Sequence, residues 1–177
     1  EKVLSPQSYQ KALYKKIYKT LTQLSNEINT LHQLWGQESK NTQILSTVSH
    51  QHIYGLLFTI LWPLAEGWIF NQYNFEHFEE IEEPSAKNTN VLLVSSPTHL
   101  NRIPERLPEA SINNISTIFC SGAPLSLKSS INAKDIFGCS VTEVYGSTET
   151  GGIAWQEQDK HISAVWQVMP CVELRKN

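Results

Sequence analysis

The sequence predicts an α/β fold in which a mostly parallel sheet is flanked by helices. Short apolar runs alternate along the chain with segments whose apolar residues recur every three or four positions. The first pattern is typical of buried strands and the second of amphipathic helices, and their alternation indicates a parallel sheet. The chain has 177 residues, 40% of them hydrophobic and 18% charged, which is ordinary for one globular domain.

The helical periodicity is clearest near the N-terminus. From Gln7 to Trp35 the apolar residues share one helical face, and Gly36 is expected to end this long helix. The segment from Tyr54 to Ala65 is almost wholly apolar and long enough for a buried helix, which Pro63 should bend or end. Two shorter helices are predicted at residues 97–106 and 125–136.

Five short apolar segments between these helices are predicted as strands. They span residues 44–49, 67–71, 91–95, 116–120 and 140–145. The acidic stretch from Glu76 to Glu83 is expected to form a solvated helix or loop. Ligands bind beyond the carboxyl ends of parallel strands. The loops of interest are therefore those after Ser49, Ser95, Cys120 and Tyr145.

Charge and cysteine content argue against several classes of protein. The net charge of −3 and the isoelectric point near 6.1 offer no basic surface for a nucleic-acid backbone, so nucleic acid is not an expected partner. The spacing of the cysteines fits neither a zinc site nor a redox motif, and we expect reduced core thiols in a cytoplasmic protein. These cysteines are Cys120, Cys139 and Cys171.

The longest apolar run gives no membrane span. It lies around Ile53 to Phe70 and is broken by Pro63, Glu66 and Gly67. The N-terminus also lacks the layout of a signal peptide. We therefore expect neither a transmembrane segment nor export.

One segment after a predicted strand combines the residue types that a nucleotide site needs. It reads Val144-Tyr145-Gly146-Ser147-Thr148-Glu149-Thr150-Gly151-Gly152. An aromatic face can stack on a base, glycines allow close backbone approach, a hydroxyl can contact a phosphate and a carboxylate can hold Mg²⁺. A strand-ending turn with capping residues is the alternative, and composition alone does not separate the two.

Two further segments follow predicted strands. The first reads Ser121-Gly122-Ala123-Pro124-Leu125, which would also suit a plain helix start with proline in the first turn. The second reads Ser49-His50-Gln51-His52-Ile53-Tyr54-Gly55. Its two histidines could ligate a metal ion, but no third ligand lies near them in the sequence, and a pocket or structural role is favoured.

Together these segments resemble motifs of the adenylate-forming superfamily of acyl-CoA synthetases, adenylation domains of peptide synthetases and firefly luciferase. The segment after Val144 is similar to its Y-G-x-T-E motif. The resemblance implies that Tyr145 stacks on adenine, that Thr148 contacts the α-phosphate of ATP or of the acyl-adenylate, and that Glu149 binds Mg²⁺. Gly146 belongs to the same nucleotide-binding motif.

The other two segments also have counterparts in this superfamily. The turn from Ser121 to Leu125 resembles its G-G-A-P-L turn, whose backbone lies against the adenine, so Ser121, Gly122, Ala123 and Pro124 are implied nucleotide contacts. Ser121 replaces the first glycine. The segment before Gly55 is similar to the H-x-x-G segment that walls the acyl pocket, with His52 as a gate residue and Gly55 as the residue that opens space beside it.

A weaker resemblance covers Val94 to Leu100, which is similar to the strand and helix start that precede the adenine turn. We expect Ser96 to cap that helix and His99 to be structural.

The resemblance runs from about Lys16 to the C-terminus and implies a particular domain. Residues 1–177 would form the central part of the large N-terminal domain of an adenylate-forming enzyme, that is, a partial AMP-binding domain. Neither a recognisable glycine-rich phosphate loop nor a C-terminal lid domain is present in this sequence. We therefore expect the chain by itself to be weakly active or inactive.

The implied reaction has two steps. A carboxylate attacks the α-phosphate of ATP, with Mg²⁺, to give an acyl-adenylate, and a thiol of CoA or of the phosphopantetheine of an acyl carrier protein then takes the acyl group. No acidic residue lies between Ser49 and Trp62 to hold a substrate ammonium, which favours a fatty, aryl or hydroxy acid over an amino acid. The alternative is a non-catalytic nucleotide-binding or interaction module that keeps the fold.

Overall fold

The computed structural model describes residues 16–36, 41–81, 89–104, 107, 114–158 and 165–175. Seven strands within these ranges form one sheet in the order β2-β1-β3-β4-β5-β6-β7. They are β1 Thr42–Ser46, β2 Ile69–Phe70, β3 Asn90–Ser95, β4 Ile115–Cys120, β5 Val141–Ser147, β6 Gly151–Glu157 and β7 Gln167–Val168. The first five strands pair in parallel, which confirms the predicted α/β fold with a mostly parallel sheet.

Two antiparallel strands extend the sheet beyond the predicted ones. β6 pairs with β5, and β7 pairs with β6. Only residues 148–150 connect β5 to β6. A connection of this length allows a hairpin but not the crossover that a parallel pair needs.

The helices of the described ranges lie between the strands in the chain. They are α1 Leu21–Trp35, α2 Ile53–Gly55, a π-helical segment Leu56–Leu61, α3 Trp62–Glu66, α4 Pro97–Leu100 and α5 Leu127–Phe137. A short 3₁₀ turn, Phe78–Glu80, occupies the acidic stretch.

The N-terminal helix is shorter than predicted. Residues 16–20 are not helical, and the part of the prediction before residue 16 lies outside the described residues. The helix begins at Leu21 because Thr20 and Gln23 form a capping box. The Thr20 hydroxyl accepts a hydrogen bond from the Gln23 amide (3.2 Å), and the Gln23 side chain accepts one from the Thr20 amide (2.8 Å).

The apolar helix continues past Pro63, so proline does not end it at that residue. α3 runs on to Glu66 and ends at Gly67, whose φ of 72° is left-handed. Before it, the π-helical segment carries wider turns, so that the Trp62 amide donates to the Leu57 carbonyl five residues back. Pro63 is the second residue of α3, directly after these wider turns.

The remaining boundaries differ by a few residues. β1 ends at Ser46 rather than Ser49, β2 is shorter than 67–71, and α4 ends at Leu100. Residues 105–106 of that predicted helix lie outside the described residues. α5 starts after Ser126, whose side chain accepts a hydrogen bond from the Ser129 amide.

Alternate residues of the central strands feed two apolar cores, one on each face of the sheet. Leu92 and Val94 of β3 pack with helix residues such as Leu31 and Trp62. Val91 and Leu93 pack in the other cluster, which includes Phe137. Helices on both faces therefore bury the sheet and leave its strand ends open for a site.

The three cysteines are free thiols, but they do not all belong to the core. Cys120 is buried, Cys139 is half-buried and Cys171 is exposed. The expectation of core thiols is wrong for Cys171. Within the described ranges, no helix has the length and apolar character needed to cross a membrane.

Candidate nucleotide and acyl site

The two segments predicted to bind the nucleotide lie at the carboxyl ends of neighbouring strands. β4 and β5 are parallel partners, with Cys120 paired to Glu143. The 121–125 turn leaves β4, and Tyr145 to Ser147 are the last residues of β5. The Ser121 hydroxyl donates a hydrogen bond of 2.7 Å to the Val144 carbonyl, which ties the two segments together.

A buried carboxylate fixes the 121–125 turn against the sheet. Glu143 accepts hydrogen bonds from the Leu125 amide (3.1 Å) and the Gln156 side chain (3.0 Å), and Gln158 donates to the same carboxylate. The Gln158 amide also donates to the Leu125 carbonyl (2.9 Å). These hydrogen bonds stabilise the Glu143 carboxylate, which would otherwise be costly to bury.

The turn at residues 147–151 projects Thr148 and Glu149 outward. Ser147 and Thr150 hold its base, because each hydroxyl accepts the other residue's amide at 3.2 Å. Thr148 makes no hydrogen bond through its side chain within the described part of the chain and is exposed. Gly146 is required by the hairpin, since a Cβ there would overlap the Gly151 carbonyl oxygen.

Tyr145 presents an accessible aromatic ring beside this turn. Its side chain is 58% exposed. The Trp166 ring packs against it edge-on, with ring centroids 5.7 Å apart and an interplanar angle of 61°. An edge-on neighbour restricts the ring and leaves stacking surface available. Gly122 opposite adopts a φ of 99°, a conformation that favours glycine.

A cavity of about 460 Å³ joins the predicted nucleotide and acyl segments. His52, Gly55 and Thr148 all line it. The further predicted residues in its wall are Ser121, Gly122 and Gly146. The predicted residues outside its wall are Ala123, Pro124, Tyr145 and Glu149, all of them exposed.

The acyl side of the cavity is mainly apolar. Its wall there contains Val48, Ile53, Tyr54, Leu57 and Phe58. The Tyr54 ring packs on Phe58, with centroids 4.8 Å apart. Such a wall suits the apolar part of an organic acid.

The Tyr54 hydroxyl is buried and has no hydrogen-bond partner in the described part of the chain. Burial raises the pKa of Tyr54 well above its usual value, and Cys120 raises it further. The Ser95 backbone opposes this shift, although its geometry falls short of a hydrogen bond. The hydroxyl therefore stays protonated at neutral pH.

Gly55 has a structural role in addition to the predicted one. A Cβ at this position would overlap the carbonyl of Ser49, because the helix start packs directly on the preceding loop. The glycine therefore permits a close backbone contact, besides lining the cavity.

The histidines at the cavity differ in their surroundings. His52 is exposed and stands at the start of α2. His99 Nδ1 lies 2.9 Å from the Ser96 hydroxyl. Burial lowers the pKa of His99, and the nearby Arg102 and His77 lower it further, so its ring is neutral at pH 7. Ser96 stands at the N-cap of α4, but its hydroxyl bonds to His99 and not to a helix amide, contrary to the expectation.

The side chains at this site could supply one protein ligand to a magnesium ion. No cluster of three or more His, Cys, Asp or Glu side chains forms within residues 16–36, 41–81, 89–104, 107, 114–158 and 165–175. Mg²⁺ at nucleotide sites commonly takes one or two carboxylates and several phosphate oxygens. Glu149 at the tip of the turn can supply such a carboxylate.

Glu143, Glu27, Lys19 and Trp166 are among the residues of this site that were not predicted from the sequence. Glu143 interrupts an apolar strand. Glu27 lies beside Leu24, Ile28 and Leu31 on the apolar face of α1. A charged residue within an apolar pattern is the feature that could have identified both glutamates. Lys19 and Trp166 have no comparable local pattern.

A sequence model described as "AMP-binding enzyme" matches residues 15–176 of the chain. The chain belongs to this family.

One curated relative is a 4-coumarate–CoA ligase from Cereibacter sphaeroides, which is 29% identical over 119 residues. The match covers 66% of this chain and 27% of the relative. The chain thus spans about a quarter of the length of that relative.

Solved structures share the fold. ATP-bound MatB from Rhodopseudomonas palustris aligns with a TM-score of 0.65 at 21% identity, over 83% of this chain and 29% of that chain. A malonyl-CoA ligase with methylmalonyl-CoA and AMP bound aligns with a TM-score of 0.60 at 23% identity, over 75% and 29%. A benzoate CoA ligase from Burkholderia xenovorans aligns with a TM-score of 0.59 at 18% identity, over 75% and 29%.

Proposed function

We propose that this chain is the nucleotide-binding and acyl-binding part of an enzyme that activates a carboxylic acid with ATP and transfers the acyl group to a thiol. The observation that carries the proposal is the single cavity whose wall contains both His52 and Thr148. A carboxylate held beside the apolar wall would lie next to the turn proposed to hold the α-phosphate. Placing two reactants in one cavity supplies much of the rate enhancement of such a transfer.

In this proposal each motif has a separate task. The Tyr145 ring stacks on the adenine, and the backbone of Ser121, Gly122, Ala123 and Pro124 lies along the base. The Thr148 hydroxyl donates a hydrogen bond to the α-phosphate. Glu149 holds Mg²⁺, which would neutralise charge on the phosphates when bound.

The cavity favours an acid with an apolar or aryl body. One carboxylate, Glu27, lines the cavity, but Lys19 pairs with it and the Gly152 amide donates to it. It is therefore a poor partner for a substrate ammonium. A fatty, aryl or hydroxy acid fits the wall formed by Ile53, Tyr54 and Phe58 better than an amino acid does.

The acceptor in the second step is proposed to be CoA or the phosphopantetheine of an acyl carrier protein. MatB, benzoate CoA ligase and 4-coumarate–CoA ligase are relatives whose fold or sequence this chain shares. The names of the last two mention CoA, which favours CoA as the first acceptor to test. The cytoplasm, where ATP and CoA are available, is the proposed location.

The test is ATP–pyrophosphate exchange by the full-length gene product with a panel of fatty, aryl, hydroxy and amino acids. We expect exchange with one of the first three classes and a loss of about 10²-fold in Thr148→Val, which removes the hydroxyl and keeps the shape. Thr22→Val, an exposed residue of α1, is the matched control. Adenylate binding without exchange on any acid would favour the non-catalytic module instead.

A further inference from the structure

An ion pair from the N-terminal part of the chain holds the nucleotide turn. Lys19 Nζ lies 3.3 Å from Glu27 Oε1 and also donates a hydrogen bond of 3.2 Å to the Glu149 carbonyl. The two side chains are largely buried, at 11% and 15% exposure. Lys19 therefore links Glu27 of α1 to Glu149, which lies 130 positions after Lys19 in the chain.

The partner carboxylate contacts the backbone where the 147–151 turn enters β6. Glu27 Oε2 accepts a hydrogen bond of 3.3 Å from the Gly152 amide. Gly151 adopts a φ of 77°, and a Cβ there would overlap the Glu27 carboxylate. The carboxylate thus packs directly against the backbone, and the ion pair contacts the chain at Glu149 and at Gly151 and Gly152, just after Thr148.

The charge of Glu27 matters because Glu27 lines the cavity. An unpaired carboxylate in the wall would repel a phosphate, and the repulsion would be strong in a partly buried site. Lys19 neutralises that charge while leaving the carboxylate able to accept from Gly152. The pair consequently has an electrostatic effect on the cavity and also fixes the position of the turn.

We propose that the Lys19–Glu27 pair is a positioning and charge-neutralising element for a nucleoside monophosphate or acyl-adenylate in the cavity. This inference rests on the proposed function. Neither residue is assigned to the reaction itself. Lys19 acts through Glu27 and through the 147–151 turn.

The test measures AMP and adenosine affinity by calorimetry for the unmodified chain, Lys19→Met, Glu27→Gln and the double variant. We expect Lys19→Met to weaken AMP binding by about tenfold, because it exposes the Glu27 charge to the phosphate. Adenosine, which carries no phosphate, should change by less than about twofold. Glu27→Gln removes the charge and keeps an acceptor for Gly152, so adding it to Lys19→Met should restore most of the AMP affinity.

Matched controls are Lys128→Met and Glu79→Gln, two exposed charges on α5 and on the 3₁₀ turn. They should leave both affinities unchanged. Equal losses for AMP and adenosine in Lys19→Met, or no rescue in the double variant, would overturn the charge-neutralising role. Absence of AMP and adenosine binding to the unmodified chain would overturn that role and contradict the proposed function as well.

A measurement without ligand decides the positioning role separately. Hydrogen exchange of the Gly152 amide, followed by NMR, should be at least about tenfold faster in Glu27→Ala than in the unmodified chain, because its acceptor is removed. Glu27→Gln should keep the slow exchange. Unchanged exchange in Glu27→Ala would show that the pair does not hold the turn.

Discussion

At the scale of single residues, the site separates side chains that hold the structure from side chains that are free to meet a ligand. Three side chains form hydrogen bonds within the protein itself, those of Ser147, Thr150 and Glu143. Tyr145 and Thr148 are exposed beside the cavity. The sequence motif mixes both kinds, and the structure sorts them by their partners.

Tyr145 is the first residue to test. If its ring is the adenine platform, stacking contributes about 1 to 3 kcal/mol, as base stacking on aromatic side chains does elsewhere. We expect Tyr145→Ala to abolish detectable AMP binding by the chain and Tyr145→Phe largely to keep it, because the π-face carries the interaction. Calorimetric or NMR titration with AMP checks this, and an alanine variant that binds like its parent would rule the platform out.

Glu149 is the residue to test for magnesium. Glu149→Gln in the full-length gene product should lower ATP–pyrophosphate exchange by about 10²-fold, because the amide removes the charge that holds the metal. The fold should be unchanged, since the side chain is exposed. Glu79→Gln serves as the exposed control. An exchange rate equal to that of the unmodified enzyme would exclude the metal role.

At the scale of elements, the helical stretch from Ile53 to Glu66 shows how packing overrides local rules. Its central π-helical turns and the continuation beyond Pro63 place Ile53, Tyr54, Leu57 and Phe58 in the cavity wall. The Thr59 hydroxyl also bonds to the Gly55 carbonyl at 2.8 Å. π-helical turns often occur at functional sites, and here Leu57 and Phe58 of such a segment line the cavity.

Gly55 gives the corresponding stability prediction. Gly55→Ala should lower the free energy of unfolding by about 1 to 3 kcal/mol, because its Cβ would overlap the Ser49 carbonyl and the backbone must move. Gly67→Ala is the matched comparison: its φ is 72°, but no atom lies within 4 Å of the added Cβ, so only conformational strain of about 1 kcal/mol applies. Urea unfolding should therefore rank Gly55→Ala as the less stable variant, and the reverse order would contradict the close contact.

At the scale of the whole molecule, the reactivity of the three thiols can be used to follow unfolding, because their side chains differ in burial. Burial raises the pKa of Cys139 to about 11, with Glu157 adding to the shift. Burial raises the pKa of Cys120 further, with Glu143 adding to it. A raised thiol pKa means that the reactive thiolate is scarce at pH 8. Cys171 is exposed.

A disulfide exchange reagent at pH 8 should therefore modify one thiol rapidly in the native protein and the other two only after unfolding. Cys171→Ser should remove the rapid phase. Reactivity of Cys139 should rise as the pH approaches 11, where its thiolate forms. Two rapid thiols in the native state would contradict the packing around Cys139.

Much of the fold could be predicted from the sequence because its elements follow local patterns. Apolar runs such as Val91 to Ser95 predicted the parallel strands, and the motifs after Cys120 and Val144 lie, as expected, at neighbouring strand ends. The capping box at Thr20 and the three-residue hairpin at 148–150 are also local features, although they were not predicted. Periodicity and capping act within a few residues, so they are readable along the chain.

The sequence by itself determined the fold class, the residue types of the motifs and the resemblance to adenylate-forming enzymes. Only the tertiary structure decided that His52 and Thr148 share one cavity and that Lys19 and Glu27 hold a turn more than 120 residues later. Contacts of this kind depend on which strands pair and which helix face packs on them. They are set by how the whole sheet is buried, and no single segment of the sequence contains that information.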